Sequence, residues 1–121
     1  MANPNLVNVA TITGESVCGA LTTTTTTDLL TAATNTLIKV NSVVIANIDG
    51  TNSATTTMGI VKSGGSVVHF AYTIAVPADA TLVLVDKNWG LYLEEGDLIE
   101  GGASANSDLT YFISYEILND E

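Results

Sequence analysis

Few side chains in this sequence are of a type that moves protons, attacks a carbonyl or holds a metal. His69 is the single histidine and Cys18 the single cysteine. One histidine cannot build a multi-histidine metal centre within a chain. A Ser-His-Asp arrangement is defined by geometry rather than spacing, but the sequence has no G-x-S-x-G elbow to offer a serine nucleophile. His69 falls beside Ala71 and Thr73, on the lighter side of an alternating segment, where a structural histidine is expected. Cys18, in Val17-Cys18-Gly19-Ala20, reads as a small buried hydrophobe with an inert thiol. A lone cysteine forms no intrachain disulfide, which suits a chain made in a reducing compartment.

Carboxylates are the more abundant reactive group. Glu94, Glu95, Asp97, Glu100, Asp108, Glu116, Asp120 and Glu121 crowd the C-terminal stretch without one lysine among them. Such a run serves first as a solvated acidic face. The Glu94-Glu95-Gly96-Asp97 turn could also take a hard cation, completed by a neighbouring chain, although its spacing is not that of an EF-hand loop. A glycosidase carboxylate pair is a third reading, for which a small sandwich with one tryptophan offers little cleft. That tryptophan, Trp89, sits in Asp86-Lys87-Asn88-Trp89-Gly90, a loop between two strand-like runs. It either faces solvent as an anchor for a sugar or protein or folds back over the end of the domain. Trp89, Tyr92, Glu94, Glu95 and Asp97 are therefore the candidate partner-binding residues. No catalytic residue, metal ligand or cofactor is assigned: there is no P-loop, dinucleotide fingerprint or paired CxxC, and the chain does not read as an enzyme.

Composition narrows the partners. The 121 residues carry 13 Asp and Glu against 3 Lys and Arg together, all of them lysine, for a formal charge of −10. Such a chain has no basic stripe with which to neutralise phosphates, which argues against nucleic acid and anionic lipid. There is no apolar run of about 20 residues to span a membrane, and Met1-Ala2-Asn3-Pro4-Asn5 lacks the charged and apolar regions of a signal peptide. Hydrophobic residues are 46% and charged residues only 13%, so a folded chain is expected, as one domain over residues 1–121.

The elements that must position these residues are strands. Thr, Val and Ile dominate, and β-branched side chains fit a pleated surface. Turn signals recur at Thr13-Gly14-Glu15, Asp49-Gly50, Ser63-Gly64-Gly65, Asn88-Trp89-Gly90 and Glu95-Gly96-Asp97. Val67–Val76 alternates, with Val68, Phe70, Tyr72, Ile74 and Val76 predicted to share the buried face. Leu109–Leu118 puts Leu109, Tyr111, Ile113, Tyr115 and Ile117 together, with Phe112 as the exception. Leu37–Ile48 aligns Ile38, Val40, Val44, Ala46 and Ile48, and Leu82–Val85 is apolar on both sides, as in a central strand. Weaker strands are expected at 5–13, 16–26, 54–62, 91–93 and 98–104. Asp28–Thr34 is too short and threonine-rich for a helix, so a turn or strand is expected, and Thr22–Thr27 is either a flexible loop or an exposed strand. The sum is an all-β single sandwich of about eight or nine short strands, Greek-key or jelly-roll-like, with no significant helix.

A series of segments carries a resemblance. It runs Val43-Val44-Ile45-Ala46-Asn47-Ile48-Asp49-Gly50-Thr51-Asn52-Ser53-Ala54, then His69–Leu82 with its Ala75-Val76-Pro77-Ala78-Asp79-Ala80, then Leu91-Tyr92-Leu93-Glu94-Glu95-Gly96-Asp97, Ala103–Leu109 and Ser114-Tyr115-Glu116. This series resembles small β-sandwich virion structural proteins of tailed bacteriophages, especially those of marine cyanobacteria, from about Leu37 onward and at Val7–Gly14. The resemblance implies a virion protein made in the host cytoplasm. It would be a capsid decoration or cement protein whose partners are the major capsid protein, other virion proteins and further copies of itself, as a dimer or trimer. A tail, neck or fibre component, or a host-binding module, is the alternative it leaves, with a small lectin or carbohydrate-active enzyme behind both. It brings no catalytic residue, and neither Trp89 nor the threonine tract belongs to it.

Overall fold

The computed structural model describes residues 11–119. Nine strands run through them: β1 (Thr11–Ala20), β2 (Thr27–Thr31), β3 (Thr36–Asn47), β4 (Ala54–Val61), β5 (Val67–Val76), β6 (Thr81–Val85), β7 (Leu91–Leu93), β8 (Leu98–Ala103) and β9 (Leu109–Asn119). The sole helical element among the described residues is a 3-10 turn, Lys87–Trp89, so no helix there is long and apolar enough to cross a membrane.

Every pairing is antiparallel, in two sheets. One has the order β1-β9-β3-β6, with β7 also on β3; the other has the order β2-β8-β4-β5. β9 takes one edge of β3 along its whole length, leaving β6 and β7 to share the other in tandem. The pairs nest, β4 with β5 at the centre, then β3 with β6 and β7, β2 with β8, and β1 with β9 outermost. The chain is thus one long hairpin folded across itself so that successive pairs fall in alternate sheets, which is jelly-roll topology. Between the sheets lies a core that includes Met58, Ile99, Ile113, Ile45, Leu93 and Val85, all at full burial.

Bulges change the predicted faces. In β3, Val40 pairs with Tyr115 and Ser42 with Ser114, leaving Asn41 unmatched. An extra residue moves everything after it to the other face. Ile38 and Val40 point inward as expected, but beyond Asn41 the buried residues are Val43, Ile45 and Asn47. Val44 and Ala46 are turned outward instead, and Ile48 is exposed. β5 holds two such breaks, at Phe70 and at Tyr72–Thr73. The predicted apolar face is therefore divided: Val76 is buried and Phe70 packs on the core, whereas Val68 and Tyr72 are 68% and 67% exposed and Ala71 takes the inward place opposite Met58.

Other expectations change for reasons of position. Leu82–Val85 lies at a sheet edge rather than the centre, and Val83 is 57% exposed. Cys18 is exposed, not buried, because it faces outward from β1. The predicted turn at Thr13-Gly14-Glu15 is continuous strand inside β1, and the expected strand over 16–26 ends at Ala20. Residues 5–10 of the first expected strand lie outside the described residues. Phe112 is exposed while Leu109, Ile113 and Tyr115 are buried, as the alternation of β9 requires.

Asp28 falls in strand β2, and Thr22–Thr26 is a loop pressed against β8. The Ala103 amide donates to the Thr22 carbonyl at 2.8 Å, and Thr23 N–H reaches Asn106 Oδ1 at 2.9 Å. Glycine at 102 permits this approach, since a Cβ there would lie 2.7 Å from Thr22 O and 2.8 Å from Thr24 O, both backbone atoms. Gly102→Ala should therefore destabilise the fold by about 1–3 kcal/mol, read as a lower denaturant midpoint at unchanged slope.

Candidate functional site

The acidic turn predicted as a binding feature closes on a lysine from elsewhere in the chain. Glu94–Asp97 connects β7 to β8, and Gly96 supplies the positive φ of +84° its tight course needs. Asp97 is only 2% exposed. Its Oδ2 accepts from Lys62 Nζ at 2.6 Å and from the Glu94 amide at 3.0 Å, while Oδ1 accepts from the Ser63 amide at 3.0 Å. Lys62 Nζ also bonds Glu94 Oε1 at 2.6 Å. Glu95 turns the other way, and its Oε2 accepts from the Asn35 amide at 2.6 Å, where Asn35 has a positive φ of 62°. The turn thus fastens the β4–β5, β7–β8 and β2–β3 connections at one end of the sandwich.

Burial pushes the Asp97 carboxyl up, but the Lys62 ammonium and the Ser63 and Glu94 amides together hold it below its ordinary 3.8. Reciprocally, the hydrogen bonds that Lys62 donates to Asp97 and then to Glu94 raise its pKa above 10.5. The charge a bound cation would bring is supplied here by Lys62, and no group of three or more metal-capable side chains gathers among the described residues. Nothing close in sequence announces this partner, because Lys62 arrives through the topology of the nested hairpin.

The remaining candidates stand apart. Trp89 ends the 3-10 turn, which Asp86 caps by accepting from the Asn88 amide at 2.9 Å, and Trp89 is 55% exposed. It therefore faces solvent. Tyr92, also partly exposed, pairs in register with Lys39 on the outer face of the five-stranded sheet.

That outer face has a feature the sequence concealed. Directly paired residues point the same way, so Cys18, Phe112, Val44 and Val83 form one row across β1, β9, β3 and β6. Ala20, Thr110, Ala46 and Thr81 make the row on one side, and Ser16, Ser114 and Ser42 the row on the other. None of these eleven residues is charged. Phe112 rises from the middle at 45% exposure beside a shallow depression lined by Cys18, Val44 and Ala46. Charge returns in the next row, at Glu116 and Lys39. Only the Asn41 bulge puts Val44 and Ala46 here, and a bulge leaves no mark in hydrophobic periodicity.

No protein-family model and no curated protein matches the chain. Solved structures do. A protein of Bacillus endospore appendages, described as a family of disulfide-linked pili, is 16% identical over 92% of this chain and 90% of that one, with a TM-score of 0.54. The Drosophila NLP core, described in terms of pentamer formation and histone binding, is 7% identical over 84% and 98%, at 0.49. The infectious bursal disease virus T13 particle protein is 6% identical at 0.46, and this chain, 93% covered, spans 32% of its length. At such identities the likeness is one of fold.

The clasp should be visible in acid. A carboxylate with a lowered folded pKa stabilises fully above its unfolded value and loses that contribution as pH falls through the folded one. Asp97→Asn should flatten the loss of stability below the ordinary carboxylate value of 3.8, measured by urea melts from pH 7 to 2. Lys62→Met at pH 7 should cost about 1–2 kcal/mol, less than a fully buried pair because the lysine is half in solvent.

Proposed function

We propose that the chain is a bacteriophage virion structural protein, a capsid decoration or cement protein that lies against the major capsid protein and further copies of itself. The observation that carries this reading is the set of three uncharged rows of the outer face centred on Phe112, on a chain of net charge −10. A protein that must lie flat on others needs a surface that can be desolvated at little cost, and burying ions is what makes desolvation expensive. Threonine, serine and alanine around one aromatic residue meet that need. The series of segments that resembles small phage virion proteins supports the same reading, and the resemblance implies no reaction and no cofactor. The Bacillus likeness agrees to the extent that a jelly roll of similar length belongs there to a pilus.

A second reading, a tail, neck or fibre component that touches the host, is favoured by the exposure of Trp89 and Tyr92. In it the Glu94–Asp97 clasp holds the turn beyond Tyr92 rigid.

Quantitative mass spectrometry of purified particles should find hundreds of copies per virion; a handful would remove the cement role. Phe112→Asp should leave stability within about 1 kcal/mol, as expected at a solvent-facing site, and lower incorporation at least tenfold. If Trp89→Ala reduces adsorption to host cells while particle stability is unchanged, the second reading takes precedence. Self-association should strengthen with added salt, since the Debye length shrinks to about 3 Å at 1 M, and light scattering across a salt series measures it.

A further inference from the structure

Among the described residues the sandwich has four strand edges, and three of them are blunted. β2 is five residues long with a register break between Asp28 and Leu30. β5 carries two breaks and a threonine at φ +48°. The β6 and β7 edge is interrupted by the Lys87–Trp89 turn. Short strands, bulges and interruptions are the usual means of denying an edge to other chains. β1 has none of them: all ten residues pair with β9 without a break, and it contains neither proline nor lysine. All but Val17 are exposed, on both faces, so β1 overhangs the opposing sheet. Its single charge, Glu15, is engaged by the Tyr115 hydroxyl, which donates to Oε1 at 3.1 Å.

We propose that β1, whose one partner among the described residues is β9, is an open edge that pairs antiparallel with β1 of a second copy, joining two five-stranded sheets into one. This rests on the self-association part of the reading above. A strand edge is complementary to itself in antiparallel pairing, because each free N–H meets a free carbonyl. Charge selects a second copy at this flank: the uncharged rows of the outer face run out to β1 through Ser16, Cys18 and Ala20, so two copies of a −10 chain meet there with one carboxylate each. Charge also selects the register. A two-fold axis normal to the sheet sets outward residues opposite outward ones and lies between one residue of the strand and its own copy. Near the middle of β1 that residue is Glu15 or Ser16. Glu15 would oppose two carboxylates, which is destabilising, whereas Ser16 places Glu15 opposite Val17 and Cys18 opposite Gly14. Ser16 is the residue at the axis.

Amide hydrogen exchange by NMR on the full chain, across a dilution series at fixed salt, tests the pairing. In β1 every second amide is bonded to β9 and stays protected, while the alternate amides should gain protection as concentration rises. Ser16→Asp should weaken association at least tenfold with an unchanged circular dichroism spectrum, and Ser16→Thr should not. Association without the alternating pattern, association indifferent to Ser16→Asp, or a monomer at every concentration would each overturn the proposal. A dimer with the alternating pattern that is missing from phage particles would sink the virion reading and leave this one standing. Abundant copies in particles with unprotected β1 amides would do the reverse.

Discussion

The pairing of β3 with β9, and the single unmatched residue inside it, governs what the rest of the molecule can present. β3 is the strand on which β9, β6 and β7 all depend for their hydrogen bonds. Its bulge at Asn41 lets one strand serve the core with Ile38 and Val40 at one end and with Val43 and Ile45 at the other. Without the bulge, Ser42, Val44 and Ala46 would point into the sandwich, and the larger Val43 and Ile45 would be turned outward beside Phe112. One inserted residue thus decides which apolar side chains of β3 fill the core and which, the smaller Val44 and Ala46, are left in water. The stabilisation it gives the core is shared with many contacts, and the part of the outer face contributed by β3, Val44 and Ala46, follows from it.

How much of this could be read from the sequence depended on whether the alternation ran unbroken. β9 was legible throughout, because its ladder with β1 is continuous and its inward residues are those the pattern names. The fold class was legible for the same reason, through β-branched composition and regularly spaced turns. β5 was legible as a strand but not as a face, since its two bulges leave each local dipeptide looking regular while the phase is lost. β6 looked central because Leu82-Val83-Leu84-Val85 is apolar on both sides. Its outward valine instead belongs to the row beside Phe112.

The candidate residues divided along the same line. Trp89 and Tyr92 were recognisable by type, and their surface position follows from turn and edge geometry. Asp97 was recognisable as acidic but not as buried, since its burial requires Lys62, which is 35 residues away. The acidic stretch that seemed to lack any counter-charge is locally acidic and spatially paired. Asp97 and Lys62 meet because nested strands bring the β4–β5 and β7–β8 connections to the same end, which no local motif encodes.

Nesting also has a kinetic side. Pairs at the centre of the folded hairpin join segments close in the chain, whereas Glu15 lies opposite Tyr115 across a loop of about a hundred residues. Closing long loops before any contact rewards them slows folding. The β4–β5 hairpin is therefore positioned to form early, with β1 zipping onto β9 last. By the same topology β1 is the first element to peel away when the molecule is strained, since among the described residues it pairs with β9 alone and covers little of the core. A subunit that presents its last-formed strand to other chains would be competent to assemble only once the whole jelly roll is complete, so the order of folding itself acts as a check on which molecules enter an assembly.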